Sequence, residues 1–503
     1  MAQTPVSAAA PTETMHDLDV LVIGAGISGI AAGYYLQTHL PTKTYAILEA
    51  RDAIGGTWDL FRYPGLRSDS DLYTFGFSFR PWGGERSIAD GASILRYLRE
   101  TAAAFGIDRR IRFGHRALRA AWRSQEARWH VEVEIRGEPA PVTFSCRFLS
   151  ICAGYYDYAE GYRPVWPGME RFGGRIVHPQ DWPADLDLTG QRVVVIGSGA
   201  TAVTLVPELA RTAAHVSMLQ RSPSHILSLP AEDRIANWLR RRLPARLAHG
   251  LVRWKNIGLG ILFYQLARRK PDLVARKIRE GVRAQLGEGY DVATHFTPTY
   301  DPWDQRVCFV PDGDLFRAIR GGRASIVTDH IESFTETGLA LRSGAQLEAD
   351  VIVTATGLKL KMLGGMTLAV DGRPVEASNT LLYKGMMLSD VPNLAVAIGY
   401  TNASWTLKCE LTARFVCRLI ARMEARGDAW CVPRRGAGVG EEPAIDFTSG
   451  YIRRSLALLP KQGTRKPWRL YQNYALDLAA LRFGALEDEA LEFGRADRRR
   501  PIA

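Results

Sequence analysis

One arrangement constrains this chain more than any other. A short apolar strand runs into a glycine-rich turn and then a helix, and the arrangement occurs twice. Residues 19–23 (DVLVI) read as a buried strand, followed by the turn Gly24-Ala25-Gly26-Ile27-Ser28-Gly29, a helix over 27–40 and a second strand at 45–48 (YAIL) that ends on Glu49. The second copy begins with the strand 192–196 (RVVVI) and turns through Gly197-Ser198-Gly199-Ala200-Thr201-Ala202. It continues as a helix over 201–212 and a strand at 216–219 that ends on Gln220-Arg221-Ser222. Glycines at these positions permit a tight turn and close approach of a pyrophosphate, while the helix N-terminus stabilises the phosphate charge. Each unit is therefore a candidate dinucleotide site, the alternative being a tight structural turn.

The residue ending the second strand separates the two sites. Glu49 stands 20 residues beyond Gly29, where a carboxylate accepts hydrogen bonds from ribose hydroxyls. The nearby segment Gly55-Gly56-Thr57-Trp58 resembles Gly-Gly-x-Trp segments that run along the flavin in flavoproteins, which points to FAD at the first site; Trp58 can otherwise be a core aromatic. In the second unit the strand ends on Arg221, not on an acid. A guanidinium there pairs bidentately with a 2′-phosphate that a carboxylate would repel, which favours NADPH over NADH. The plainer alternative is a surface cation.

The chain has 503 residues, enough for two or three domains. Apolar residues make up 46% and charged ones 23%, as in ordinary globular proteins. The net charge of +11 raises the question of anionic partners, but no nucleic-acid-binding module is evident. Six cysteines stand at 146, 152, 308, 409, 417 and 431 with no C-x-x-C pair. That spacing argues against a redox motif, a zinc knuckle or a disulfide scaffold and fits reduced, buried thiols in a cytosolic protein. Residues 1–16 lack a basic start followed by an apolar stretch, so no signal peptide is read there. The longest apolar run, near 257–267, is about half of what a membrane span needs. No metal site is expected.

Further strands are expected near 118–122, 129–135, 147–151, 350–357 and 393–398, and a helix running to about Met423. The expected fold is α/β, with two Rossmann-like dinucleotide-binding domains and a helical insert. The boundaries read as 17–157 for the first part of the FAD-binding domain and 158–225 for the first part of the NADPH-binding domain. The insert spans 226–299, the NADPH-binding domain resumes over 300–357, and 358–503 complete the FAD-binding domain with a C-terminal segment.

Between the two loops stands Phe172-x-Gly174-x-x-x-His178-x-x-x-Trp182-Pro183. This string resembles the fingerprint of type I Baeyer–Villiger monooxygenases; related flavin monooxygenases that attack nitrogen and sulfur usually carry Tyr or Phe in place of the Trp. The resemblance extends through 57–71 (TWDLFRYPGLRSDSD), 197–207 (GSGATAVTLVP), 300–306 (YDPWDQR), 399–408 (GYTNASWTLK) and 464–474 (TRKPWRLYQNY). It implies that NADPH reduces FAD and that reduced flavin takes up O2 as a C4a-peroxyflavin. That group then places one oxygen beside a ketone carbonyl, giving an ester or lactone, with sulfide or thioamide oxidation as a side activity. The substrates implied are small or medium apolar ketones or sulfur compounds, together with O2.

Residue by residue, the resemblance makes Arg306 the catalytic cation, Asp69 the carboxylate that orients it, and Arg67 a helper. Around FAD it implies Gly24, Gly26, Ser28, Gly29, Glu49, Thr57, Trp58, Asp59, Leu60, Arg67, Ser68, Asp69 and Ala117. Around NADPH it implies Gly197, Ser198, Gly199, Ala200, Thr201, Ala202, Val203, Arg221 and Ser222. His178 lies on the implied interdomain linker, which suits a hinge or hydrogen-bonding role rather than proton transfer, with Phe172 and Trp182 as packing anchors. The strand end Ala355-Thr356-Gly357 matches the second crossing between domains. The loop 399–405 precedes a helix whose N-terminus can face the flavin's pyrimidine edge. One departure stands out. Many family members have Lys or Arg before the catalytic arginine, where it also meets the 2′-phosphate, and here the residue is Gln305.

Residues 234–283 are helical in pattern, basic and aromatic: ten cations from Arg234 to Lys270 are interleaved with Trp238, Trp254, Phe263 and Tyr264. Such a segment either covers a substrate channel with its charges in water, the reading preferred here, or lies on an anionic membrane surface. The expected location is cytoplasmic, with peripheral attachment at the inner face of the membrane as the alternative. The sequence leaves the oligomeric state open. Competing functions are a flavin N- or S-monooxygenase without Baeyer–Villiger activity and a non-catalytic flavoprotein serving as a sensor or scaffold.

Overall fold

A computed structural model of the chain describes residues 16–445 and 447–496. The leader read for a signal peptide therefore falls, apart from His16, outside the described residues.

Unbroken Val/Ile runs suit strands covered on both faces, and they form the centres of two sheets. The first sheet has nine strands. Its parallel heart is His16–Ile23 between Tyr45–Leu48 and Val142–Ile151, with Ile111–Arg112 beyond Tyr45–Leu48. The antiparallel strands Arg128–Ile135 and His115–Arg123 extend it on the other side and carry Thr367–Val370 and Arg373–Val375 at the far edge. Leu394–Val396 returns late in the chain to pair with Val142–Ile151. The second sheet is five-stranded and parallel, in the order Ala324–Thr328, His215–Gln220, Arg192–Ile196, Val351–Thr354, Arg175–Val177. Each glycine loop leaves the C-terminal end of an interior parallel strand, where open α/β sheets bind ligands. The fold is α/β with two Rossmann-like units, as expected.

The strands 45–48 and 192–196 fall where the sequence places them. The helix expected over 201–212 is shorter, Ala200–Leu209, because the chain turns back on it with Thr212 and Ala213 N–H both bonded to the Leu209 carbonyl. Residues 226–229, counted with the insert in the sequence reading, form the strand Ile226–Leu229 paired with Cys308–Pro311. The insert's helices begin after it: Arg234–Arg242, Ala245–Arg269 and Pro271–Leu286. They break at Pro244 and Pro271, as proline requires at a helix start.

The long helix Ala245–Arg269 is pinned to the first domain by a buried ion pair. Arg253 Nη2 lies 2.9 Å from Glu410 Oε2, with 8% and 6% of the two side chains exposed. Arg253 also donates to the carbonyls of Tyr73 (3.2 Å) and Gly76 (2.7 Å). Downstream on the same helix, Ile257 packs on Tyr400 and Leu407. All six cysteines are buried and free of disulfides. Among the described residues no helix is long and apolar enough to cross a membrane, and no cluster of His, Cys, Asp and Glu could hold a metal ion.

Candidate active site

The two glycine loops are built differently. In the first, Gly24 has φ +102°, and a Cβ there would lie 2.7 Å from the Cys152 carbonyl oxygen. A Cβ on Gly29 would lie 1.9 Å from the Gly24 carbonyl oxygen. Both glycines are demanded by the packing of the loop itself. Glu49 holds the same loop: its Oε2 accepts from the Ala25 N–H at 2.8 Å and its Oε1 from the Arg51 N–H at 2.9 Å. Burial raises the Glu49 pKa above its ordinary value, against the pull of those two donors. In the second loop Gly197 is demanded in the same way, with φ +137° and a Cβ that would meet the Ala355 carbonyl oxygen at 2.4 Å. A Cβ on Gly199 would meet nothing within 4 Å. The space in front of Gly199 is open, which is what close approach of a phosphate needs.

A cavity of about 580 Å³ runs from the first loop to the second domain, within the range of small-molecule and cofactor sites. Gly24, Gly26, Ser28, Glu49, Thr57, Trp58, Arg67, Ser68, Asp69 and Ala117 line it, and so do Ala200, Thr201 and Arg306. The remaining residues assigned to the two cofactors are placed elsewhere. Gly29 and Leu60 do not reach the wall. Asp59 is buried between Arg51 (2.5 Å) and Arg99 (3.0 Å). Ala202 and Val203 face the core of the second domain. The turn residues Gly197, Ser198 and Gly199 stand away from the cavity; the Ser198 hydroxyl donates to the Ser222 carbonyl at 3.0 Å. Arg221 is exposed at the strand end.

Arg306 and Asp69 meet across the cavity wall. Nη2 of Arg306 lies 2.8 Å from Asp69 Oδ2, with a quarter of the arginine side chain (25%) exposed. Nη1 donates to the Thr401 carbonyl at 2.7 Å, and the guanidinium carbon sits 5.7 Å from the centre of the Trp303 ring. Burial works against the guanidinium charge, but Asp69 and the phenols of Tyr451, Tyr155 and Tyr156 outweigh it, so the pKa rises and Arg306 is a fixed cation. Arg67 does not join this pair; it forms an ion pair with Asp314 of the second domain instead.

His178 also lines the cavity and is buried. Its Nδ1 accepts from the Gln180 N–H at 3.2 Å, and a Cβ on Gly161 would run into its ring. Burial, with Arg163 nearby, holds the imidazole below its ordinary 6.5, so it is neutral at pH 7. This is a packed joint between linker strands. Phe172 packs on Phe334, and Trp182 against the core of the second domain. The helix Trp405–Arg426 starts at the cavity, where Trp405 Nε1 donates to Ser28 Oγ at 3.0 Å.

Sequence reasoning missed the clamp behind Arg306. Gln472 Oε1 accepts from the Thr401 N–H (3.1 Å) and hydroxyl (3.2 Å), and the Gln472 carbonyl accepts from Asn402 Nδ2 at 2.9 Å. Gln472 thus fixes the loop whose Thr401 carbonyl holds the catalytic candidate. The motif 464–474 carried the signal without saying what it touches.

The donor set fits a flavin dinucleotide: one loop tight against its own strand, a carboxylate at the second strand end, and a wall of mixed character. Arg306 Nε is buried without a partner among the described residues, so the site has polar capacity left for a ligand.

Comparison with known proteins agrees. A family model described as Flavin-binding monooxygenase-like matches residues 87–250, and one for an NAD(P)-binding Rossmann-like domain matches residues 22–82. The FAD-containing monooxygenase EthA of Mycobacterium tuberculosis (strain ATCC 25618 / H37Rv) is 54% identical over 95% of this chain and 98% of its own length. EthA of Mycolicibacterium smegmatis is 51% identical over 94% and 96%. Among solved structures, an oxidized steroid monooxygenase bound to NADP superposes with a TM-score of 0.75 at 23% identity, covering 95% of this chain and 100% of that one. An open cyclohexanone monooxygenase gives 0.71 at 20% identity over 95% and 99%. At these identities the two structures attest the fold, and the sequence relatives attest the family. This chain belongs to the flavin-binding monooxygenases and is closely similar to EthA.

Proposed function

We propose that this flavin monooxygenase consumes NADPH and O2 to insert one oxygen beside the carbonyl of a small or medium apolar ketone. The product is an ester or lactone, the second oxygen leaves as water, and sulfides or thioamides are oxidised at sulfur as a side activity. The observation that carries the reading is the Arg306–Asp69 pair on the cavity wall. Bound FAD, reduced by NADPH, supplies the activated dioxygen.

The chain's own groups do the rest. Arg306 is a permanent cation where negative charge develops on oxygen, in a site that is partly shielded from water and so weakly screened. Asp69 and the Thr401 carbonyl take up both terminal nitrogens and so fix the guanidinium's plane. An arginine held at two points is preorganised, which is what transition-state stabilisation requires. Aromatic and apolar side chains, among them Phe75, Phe309, Ala403 and Trp405, give the cavity a surface for an apolar substrate. Gly199 and the exposed Arg221 support NADPH at the second loop.

Replacing Arg306 with Ala tests the reading. The variant should bind flavin and be reduced by NADPH nearly as well as the parent, while ester formation falls by about 100-fold or more, the loss expected for removing one oxyanion-stabilising donor. Ester formation at the parental rate would refute the assignment.

A further inference from the structure

The insert has a second face that the monooxygenase reading does not use. From Arg234 to Pro271 the sequence holds ten Lys and Arg residues and not one Asp or Glu. The structure sorts this stretch into an inner and an outer side. Along Ala245–Arg269 the inner side buries Ala248, Val252, Arg253, Ile257 and Ala267. The outer side exposes Leu247, Leu251, Trp254, Leu259 and Leu262, each between 46% and 63% open, and the preceding helix adds Trp238 at 56%. Scattered exposed leucines are ordinary, but a run of large apolar side chains along one helix marks an interaction surface.

Three further observations identify the partner. Arg242 and Arg246 at one end of the stripe, and Arg269 and Lys270 at the other, are exposed. Arg242 lies over the Trp238 ring, 6.0 Å from its centre. The outer side therefore presents cations around an apolar strip with no carboxylate in the segment to repel an anionic surface. In addition, Gly258 and Gly260 are exposed, and a Cβ on either would meet nothing within 4 Å. Nothing among the described residues calls for glycine there, although each costs helix stability; both leave a low strip over which a flat surface can approach. Finally, no described helix can cross a bilayer, so the contact lies along the membrane and does not penetrate through it.

We infer that the outer face of the helices Arg234–Arg242 and Ala245–Arg269 docks on an anionic lipid surface. Leucine and tryptophan enter the headgroup boundary, and the arginines pair with lipid phosphates, the signature of an interfacial helix. The inner face of the same helix lies over the cavity wall through Ile257 on Tyr400 and through Phe263 and Tyr264 on Trp303, the ring beside Arg306. Docking thus holds the side of the molecule nearest the candidate active site against the phase in which apolar substrates concentrate.

The test is flotation of the flavin-loaded full chain with vesicles of phosphatidylcholine alone or with phosphatidylglycerol added. The protein should float with the anionic vesicles at low salt, stay behind with the neutral ones, and be released by salt. Leu259→Gln with Leu262→Gln should weaken partitioning by on the order of 10-fold per leucine. Arg242→Gln with Arg246→Gln should weaken it about 30-fold, from roughly 1 kcal/mol per charge at an anionic surface. Both double variants should oxidise a water-soluble substrate at the parental rate. Failure of the parent to float with anionic vesicles at low salt overturns the proposal, and so does equal binding to neutral ones. It is equally overturned, in favour of contact between copies, if the parent sediments as a dimer that the leucine variant converts to monomer.

Discussion

Replacing Arg253 with Met removes a cation from one of the most enclosed polar contacts in the molecule. Glu410 would keep Tyr35 Oη at 3.0 Å, the Ser78 N–H at 3.0 Å and the Ser78 hydroxyl at 2.7 Å, but lose the guanidinium paired with it at 2.9 Å. The carbonyls of Tyr73 and Gly76 would lose the same donor. Breaking a buried pair from one side costs about 3–5 kcal/mol, because the remaining charge stays buried. A chain with two Rossmann-like units need not unfold in one step, so the sensitive assay is local: amide hydrogen exchange across the helix Ala245–Arg269. Opening of that helix should become easier by about 3 kcal/mol, an increase in exchange on the order of 100-fold. Adding Glu410→Gln to the Met variant should recover part of the loss, and the double-mutant cycle should show coupling of about 1–3 kcal/mol. Exchange within a few-fold of the parent, with no coupling, would refute the view that this pair pins the insert to the first domain.

Other expectations follow from the same geometry. Gly29→Ala puts a methyl group against backbone and should yield protein with little bound flavin, read from the ratio of flavin to protein absorbance; Gly199→Ala meets only open space and should keep its flavin while raising the KM for NADPH. Gln472→Ala frees the Thr401 loop, so the fraction of NADPH oxidation that yields product should fall by up to about 30-fold at unchanged flavin content, from the loss of two hydrogen bonds of about 1 kcal/mol each. His178 is held below its ordinary 6.5 in the folded chain by burial. As pH falls through 6.5, the unfolded chain binds a proton before the folded one does. Stability is therefore lost from that point down to the lower folded value. His178→Gln should flatten this part of the stability–pH curve, and an unchanged slope would show that His178 does not titrate out of step with the unfolded state.

The sequence made the two nucleotide units legible because their signals are local: an apolar strand, a glycine turn and a helix lie next to one another in the chain. The strands 45–48 and 192–196 fell where expected for that reason. Asp69 and Arg306 were paired only through resemblance; nothing in their spacing puts them 2.8 Å apart. Gln472 and the Arg67–Asp314 pair were not seen at all, since they join segments 71 and 247 residues apart that carry no periodic pattern. The loop residues on the second unit were legible as a motif, yet only Ala200 and Thr201 reach the cavity, because the turn itself faces Ser222 and Ser224. The insert was readable as basic and helical. Which side it turns outward depended on Arg253, a cation that charge alone would have placed in water and that Glu410 draws inside.

The central claim is that the Arg306–Asp69 site directs oxygen to a ketone carbonyl. The most direct measurement is mass spectrometry of products from purified enzyme, NADPH and a panel of apolar ketones under labelled O2. The expected result is an ester or lactone carrying one labelled oxygen at the ring or chain position beside the former carbonyl, with label also in water. Hydrogen peroxide alone across the whole panel, with no labelled ester, would contradict the account.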